Sequence, residues 1–262
     1  MTIYLHELRQ GSKTFLIWTL SISAFMAMCI FLFPEMEGEL GGVGDMFSSM
    51  GSFTAAFGMD RLDFGTLEGF YAIECGNIMS LGGAFFAAVI SVNIISKEEK
   101  DRTAEFLLTH PVSRIRVLSG KAAAVLSQTA SMNIIAVAVT SASIAAIGEA
   151  VPWDTVLHLH LAYLFCQIEI AMICFGISAF SRSSSFGAGL GLALVLYFMN
   201  LIANVSDKME VLRYISPFGY AEAAEIVTAG ELDTSLVICG LAAGLAVSLA
   251  GSLYYCRKDI IC

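Results

Sequence analysis

The sequence predicts an all-α, polytopic membrane protein with six transmembrane helices, and three observations carry the prediction. The 262-residue chain is 57% hydrophobic and only 14% charged, whereas globular domains carry about 25% charged residues. Its apolar residues fall into blocks separated by short charged segments, each near the ~20 residues a helix needs to cross a bilayer. Lysine and arginine are concentrated in alternate connections between those blocks, as expected of loops on opposite sides of a membrane.

Taken in order, residues 1–13 set Tyr4, Leu5 and Leu8 on one side and His6, Glu7, Arg9 and Gln10 on the other, the pattern of a short interfacial helix. The first span is Phe15–Phe33. Pro34–Glu35–Met36 follows it without a small-residue cleavage site, so the start of the chain reads as an uncleaved signal-anchor. An outer loop, 34–72, is rich in glycine and methionine and carries Phe47, Phe53, Phe57, Phe64 and Phe70. It is expected to fold back against the membrane. The second span is Cys75–Ile95, and the loop 96–121 leads to the third, Ala122–Ile147, which is long enough to tilt or protrude. The fourth span, Leu159–Phe180, and the fifth, Phe186–Asn204, are joined by Ser181–Ser185, a tight turn carrying Arg182. A second outer loop, 205–235, contains Tyr214–Phe218 and a helix-compatible run from Ala221 to Thr228, and leads to the sixth span, Leu236–Cys256. Neither outer loop is long enough for a catalytic domain of its own, so residues 1–262 form a single transmembrane domain.

With both termini cytoplasmic, Arg9, Lys13, Lys97, Lys100, Arg102, Arg114, Arg116, Lys121, Arg182, Arg257 and Lys258 lie inside and only Arg61, Lys208 and Arg213 outside, 11 against 3. That is the positive-inside distribution of a multi-pass protein of the plasma or inner membrane. The acidic residues crowd the other face, so the formal charge of -9 is an external property. The chain has no basic tract for a nucleic-acid duplex. Its seven cysteines are odd in number; Cys29, Cys166, Cys174, Cys239 and Cys256 fall in apolar spans and read as small hydrophobes. His158 and His160, two residues apart on a helix, do not share a face for a metal. Trp153, Tyr254 and Tyr255 read as interfacial anchors.

The loop 96–121 carries the most specific information. Glu98 and Arg102 are spaced i,i+4 in the favourable order, as are Lys97 and Asp101. An apolar cluster, Phe106–Leu108, ends this predicted helix before Pro111, and it needs a partner protein or the lipid surface to cover it. Ser113 is placed to cap the next helix, which carries Arg114, Arg116 and Lys121 into the third span.

The residues Glu98, Glu99, Arg102, Thr103, Glu105, Leu107 and Leu108, then Pro111–Val112–Ser113–Arg114, then Gly120–Lys121 resemble a loop of the permease subunits of type-two ATP-binding-cassette (ABC) exporters. The resemblance extends to the interfacial N-terminal helix, the six-span plan and Ser216–Pro217–Phe218 before the last span. One departure is Arg102, where the family often has glycine before the threonine. The resemblance implies that 98–109 is a cytoplasmic coupling helix docking on a separate ATPase subunit through Glu98, Arg102, Thr103, Glu105, Phe106, Leu107, Leu108 and Arg114. ATP and magnesium then belong to that partner. This chain is not expected to be an enzyme: its one Gly-Lys, Gly120–Lys121, lacks the glycine-rich loop before it and the Ser or Thr after it that a phosphate cradle needs.

Within the spans, Gly76, Ser80, Ala84 and Ala88 repeat every four residues, and Gly187/Gly191 and Gly240/Gly244 are small-xxx-small pairs. They pack helices within one subunit or between two, and a homo- or heterodimer would give a translocation path between its halves. Glu169 is a carboxylate deep in the fourth span. Intramembrane acids are costly enough to be functional candidates, so Glu169, Gln167 and Asn200 are the expected path residues, with Asn200 a possible partner for Glu169. Asn77, Asn93, Gln128 and Asn133 are further buried polar positions. The alternatives to a permease are an ion- or proton-coupled carrier or channel using Glu169, or a non-transporting membrane scaffold.

Overall fold

The computed structural model describes residues 2–40, 51–100, 112–181 and 186–258. Those residues are helical and contain no strand. Among the described residues, six helices are long and apolar enough to cross a membrane.

The first helix, α1 (Thr2–Leu40), is continuous, so the expected interfacial helix and the first span are one rod. Residues 9–14 contain no proline or cap to break it, and Gly11 gives α1 room against a later helix, since a Cβ there would lie 2.8 Å from Gln128 Nε2. A short helix, α2 (Ser52–Ala56), precedes α3 (Leu67–Phe70), whose first turn is capped by Thr66 Oγ1 accepting from Gly69 N at 3.1 Å. From α3 the chain passes through a π turn, Tyr71–Cys75, into α4 (Gly76–Val92). The second span therefore starts at Leu67 rather than Cys75 and ends at Val92 rather than Ile95. In the connection between the first two spans, Phe64 and Phe70 bury together with Ile73 against Phe33, while Phe47 lies outside the described residues.

After α4 a non-helical turn, 93–95, leads to α5 (Ser96–Lys100). Ser178 Oγ holds this turn by accepting from Ile95 N (3.0 Å) and Ser96 N (3.2 Å). The long helix α6 (Arg114–Ala146) is capped as the sequence suggests, with Ser113 Oγ accepting from Arg116 N at 3.4 Å. The fourth span, α7 (Trp153–Phe180), begins at Trp153 rather than at the expected Leu159, and α8 (Phe186–Val205) matches its expected range. Then come α9 (Val211–Ile215), α10 (Ala223–Ala229) and α11 (Thr234–Arg257). Gly230, in the left-handed region at φ 70°, ends α10. Asp233 caps α11 by accepting from Ser235 N and Leu236 N.

The spans α4 and α7 are central, with 61% of their most apolar windows buried against 17% for α11. Helix α7 packs on α11 and α4, α4 also on α8 and α1, and α1 on α6. The outward faces of α1, α8 and α11 expose Leu16, Ile17, Leu20, Val195, Phe198, Ile238 and Leu249, an apolar surface that a bilayer covers.

The small residues sort into different tasks. Gly76, Ser80, Ala84 and Ala88 are all buried inside the subunit. Gly240 and Gly244 press on Glu169 of α7. On α8 the packed glycine is Gly189, where a Cβ would lie 3.0 Å from Val92, while Gly191 faces open space. The anchors also divide: Trp153 and Tyr254 are exposed, but Tyr255 is buried in an apolar cluster with Leu118, Phe175 and Ala179, with the Arg114 guanidinium 5.8 Å from its ring.

Candidate functional site

One end of the bundle gathers the start of α1, the turn 93–95, α5, the start of α6 and the end of α11 around an ion network. Its centre is Lys121, only 1% exposed. Lys121 Nζ donates to Glu7 Oε1 at 2.7 Å, to the Ile94 carbonyl at 2.7 Å and to Glu98. A second ammonium, Lys97, pairs with Glu7 and donates to Gln10 Oε1 at 2.6 Å. Lys258 closes the ring from α11 with two bonds to the Glu99 carboxylate at 2.9 and 2.8 Å. Arg114 Nη1 donates to the carbonyls of Tyr255 (2.8 Å), Cys256 (3.3 Å) and Lys258 (2.7 Å), which supplies partners for the open end of α11. Burial pushes the Glu98 carboxyl above the ordinary carboxylate range; Lys121 and Lys97 pull it down and Glu7 adds to the rise.

Physically, the part of this network around Lys121 joins three separate chain segments through buried charge. A buried ammonium is tolerable only when its hydrogen bonds are all made, so α5 and its turn cannot shift without disturbing α1 or α6. Of the expected docking residues, Glu98 and Arg114 lie at this end, Glu98 at the root of the loop and Arg114 committed to α11. Arg102, Thr103, Glu105, Phe106, Leu107 and Leu108 lie outside the described residues, as do Asp101 and the turn residue Arg182. The central role of Glu7 and Lys121 escapes a reading by segment, because they are 114 positions apart. The available signal was a basic residue entering an apolar span together with an acid on a largely apolar N-terminal helix.

The expected path residues do not converge. Gln167 is fully buried and ties three helices: its Oε1 accepts from Asn133 Nδ2 at 2.7 Å and its Nε2 donates to the Met79 carbonyl at 3.3 Å. Glu169 lies between α7 and α11 and accepts from the Tyr220 hydroxyl at 2.8 Å. Gly240 leaves room for that carboxylate, since a Cβ there would lie 2.3 Å from Oε2. Asn200 does not partner Glu169. Its Nδ2 donates to Glu222 Oε2 at 2.9 Å, as does Asn204 Nδ2. Asn200 and Asn204 are one turn apart on α8, so both present to the same side and a single carboxylate between them satisfies both. That spacing was the signal for Glu222, which composition alone placed among the solvated outer acids. His160 is buried with its Nε2 2.8 Å from the Tyr71 hydroxyl, whereas His158 Nδ1 lies 2.7 Å from the Asp154 carbonyl. No group of acidic, histidine and cysteine side chains among the described residues is arranged to hold a metal.

A family model described as ABC-2 family transporter protein matches residues 1–255. No curated protein matches the chain.

Proposed function

The chain belongs to the ABC-2 family of transporter proteins and is a multi-pass membrane permease of an ABC transporter, and from that premise we propose that it is the membrane half of an ATP-driven exporter whose ATPase is a separate subunit. The observation that carries this reading is the buried network around Lys121 at the root of the 96–121 loop. A loop that only connected two spans would need no such anchorage. A loop that receives a mechanical push needs a stiff connection to the helices it moves, and Lys121 joins it to α1 and α6 at once.

In this proposal both termini and the 96–121 loop face the cytoplasm of the cell that bears the protein in its plasma or inner membrane, as the distribution of basic residues supports. ATP and magnesium bind to the partner. The partner docks on Glu98, Arg102, Thr103, Glu105, Phe106, Leu107 and Leu108, with Arg114 securing the return into α6. Closure of the ATPase around ATP displaces α5, and the Lys121 junction passes the motion to α1, α4 and α6. The differential contact at the loop is what biases one membrane conformation over another. A second permease subunit completes the path, and the open side of Gly191 on α8 supports a helix-to-helix contact there.

The test is co-purification with the cognate ATPase. Replacing Phe106 and Leu107 together by aspartate abolishes capture of the ATPase while the permease still elutes as a folded particle. A complex that survives the double substitution sinks the docking assignment. Separately, Glu169→Gln keeps an acceptor for Tyr220 but removes the charge. If this carboxylate meets a cationic substrate in the path, export falls by about tenfold or more with ATPase binding intact. Unchanged export in proteoliposomes takes Glu169 out of the path.

A further inference from the structure

At the end of the bundle opposite Lys121, a cavity of about 20 Å³ lies between α4, α7, α8 and the segment leading into α10. That is room for a single water-sized species. Asn77, Ser80, Tyr163, Tyr197, Asn200 and Glu222 line it with polar groups. Two of these side chains are almost completely buried, Asn200 at 4% exposed and Tyr163 at 1%, yet Asn200 Oδ1 and the Tyr163 hydroxyl have no hydrogen-bond partner among the described residues. Orphaned buried polar atoms are rare and call for an explanation.

The orientation of the amides decides what the cavity offers. Asn77 Nδ2 is committed to the Ile73 carbonyl at 2.7 Å, and its Oδ1 accepts from the Tyr197 hydroxyl at 3.1 Å with a second lone pair to spare. Asn200 Nδ2 is committed to Glu222 Oε2. A carboxylate only accepts, so Glu222 itself forces the Asn200 oxygen the other way. Both amide nitrogens are thus engaged, and what the residues lining the cavity have left to offer is carboxylate, amide, phenol and serine oxygens. The nearby cations are engaged elsewhere: Arg61 and Arg213 both pair with Glu225. Burial raises the Glu222 carboxyl, and Asn204, Asn200, Arg61 and Arg213 only partly draw it back.

We infer that this cavity binds one small monovalent cation, with Glu222 supplying the charge and the oxygens of Asn77, Ser80, Tyr163 and Asn200 completing the shell. One carboxylate among neutral oxygens matches a single positive charge. Calcium sites gather several carboxylates, and magnesium keeps several waters that a space of this size excludes. The site ties the 205–230 segment to α4, α7 and α8, so occupancy stiffens that end of the bundle. The inference concerns this chain alone and does not depend on how the ATPase docks.

The experiment uses the purified full-length permease in lipid nanodiscs, without ATPase. Unfolding midpoints are measured in lithium, sodium or potassium chloride against N-methyl-D-glucamine chloride at equal ionic strength. Binding of radiolabelled sodium is measured alongside, with the unlabelled salts as competitors. At least one alkali ion raises the midpoint saturably by about 3 °C or more and competes for one site per chain. Glu222→Gln retains acceptors for Asn200 and Asn204, and it lowers alkali-ion affinity by about tenfold or more. Asn200→Ala and Ser80→Ala weaken binding in the same direction and serve if Glu222→Gln is poorly folded. Glu210→Gln, an exposed carboxylate on the same connecting segment, retains the full shift. Equal midpoints in all four salts, or the same shift in Glu222→Gln as in the wild type, overturn the inference and leave the cavity to a water molecule or to a proton on Glu222.

Discussion

Lys121→Met lowers the stability of the permease by about 3–5 kcal/mol, the cost of breaking a buried ion pair by removing one partner. The substitution keeps most of the side-chain volume and removes the ammonium that Glu7, Glu98 and the Ile94 carbonyl share. Two carboxylates are then left at a buried site, with Lys97 the remaining basic neighbour of both. The loss is measured by reversible denaturation in mixed micelles. It is largely recovered by adding Glu7→Gln and Glu98→Gln, because the damage lies in the stranded charges rather than in lost packing. In a reconstituted complex, the same single variant hydrolyses ATP without moving substrate, since the loop can still dock while its junction to α1 and α6 is gone. A stability within about 0.5 kcal/mol of wild type, with normal transport, would show that Lys121 is not the junction between the loop and the helices.

Gly251→Val separates the two most intimately packed spans. A Cβ at Gly251 would lie 2.5 Å from the Gly176 carbonyl oxygen and 2.7 Å from its Cα, and a Cβ at Gly176 would meet the Val247 carbonyl at 2.5 Å. The obstacles are backbone atoms, so no rotamer change relieves them and α11 must move off α7. Overpacking of this kind costs about 3 kcal/mol or more where the backbone cannot yield. The displacement also disturbs the contact of Gly240 with Glu169 and the burial of Tyr255 near the end of the same helix. Gly191→Ala is the matched control, because nothing lies within 4 Å of a Cβ there, and the stability of the single subunit changes by no more than about 0.5 kcal/mol. If the two substitutions have equal effects on the unfolding midpoint, α7 and α11 do not meet through Gly176 and Gly251.

Much of the architecture was legible because it follows from local composition. Each apolar block is a helix, since a chain crossing hydrocarbon must satisfy its own backbone hydrogen bonds. Ser113, placed before the third span, caps it. The boundaries were less legible where polar residues continue a helix past the apolar run. Thr2–Lys13 extends the first span, and Trp153–His158 extends the fourth. Hydropathy marks where apolar residues end; helical hydrogen bonding continues beyond them, and in α1 it runs past Pro34 to Leu40.

The partnerships of the polar residues were not legible. Glu169 and Asn200 looked like neighbours because both are polar in apolar runs, yet Tyr220 takes the one and Glu222 the other. Likewise Gly187/Gly191 and Gly240/Gly244 look alike as motifs, but Gly240 faces a carboxylate and Gly191 faces open space. The sequence by itself determined the six spans and the Ser113 cap, because each rests on residues within a few turns of one another. Only the tertiary structure decided that Lys121 is the buried junction between α1, the 93–100 segment and α6, and that Glu222 belongs to an oxygen-lined cavity. Those outcomes depend on which faces of distant helices meet, and the strength of a charge or hydrogen bond depends on the burial that this meeting creates.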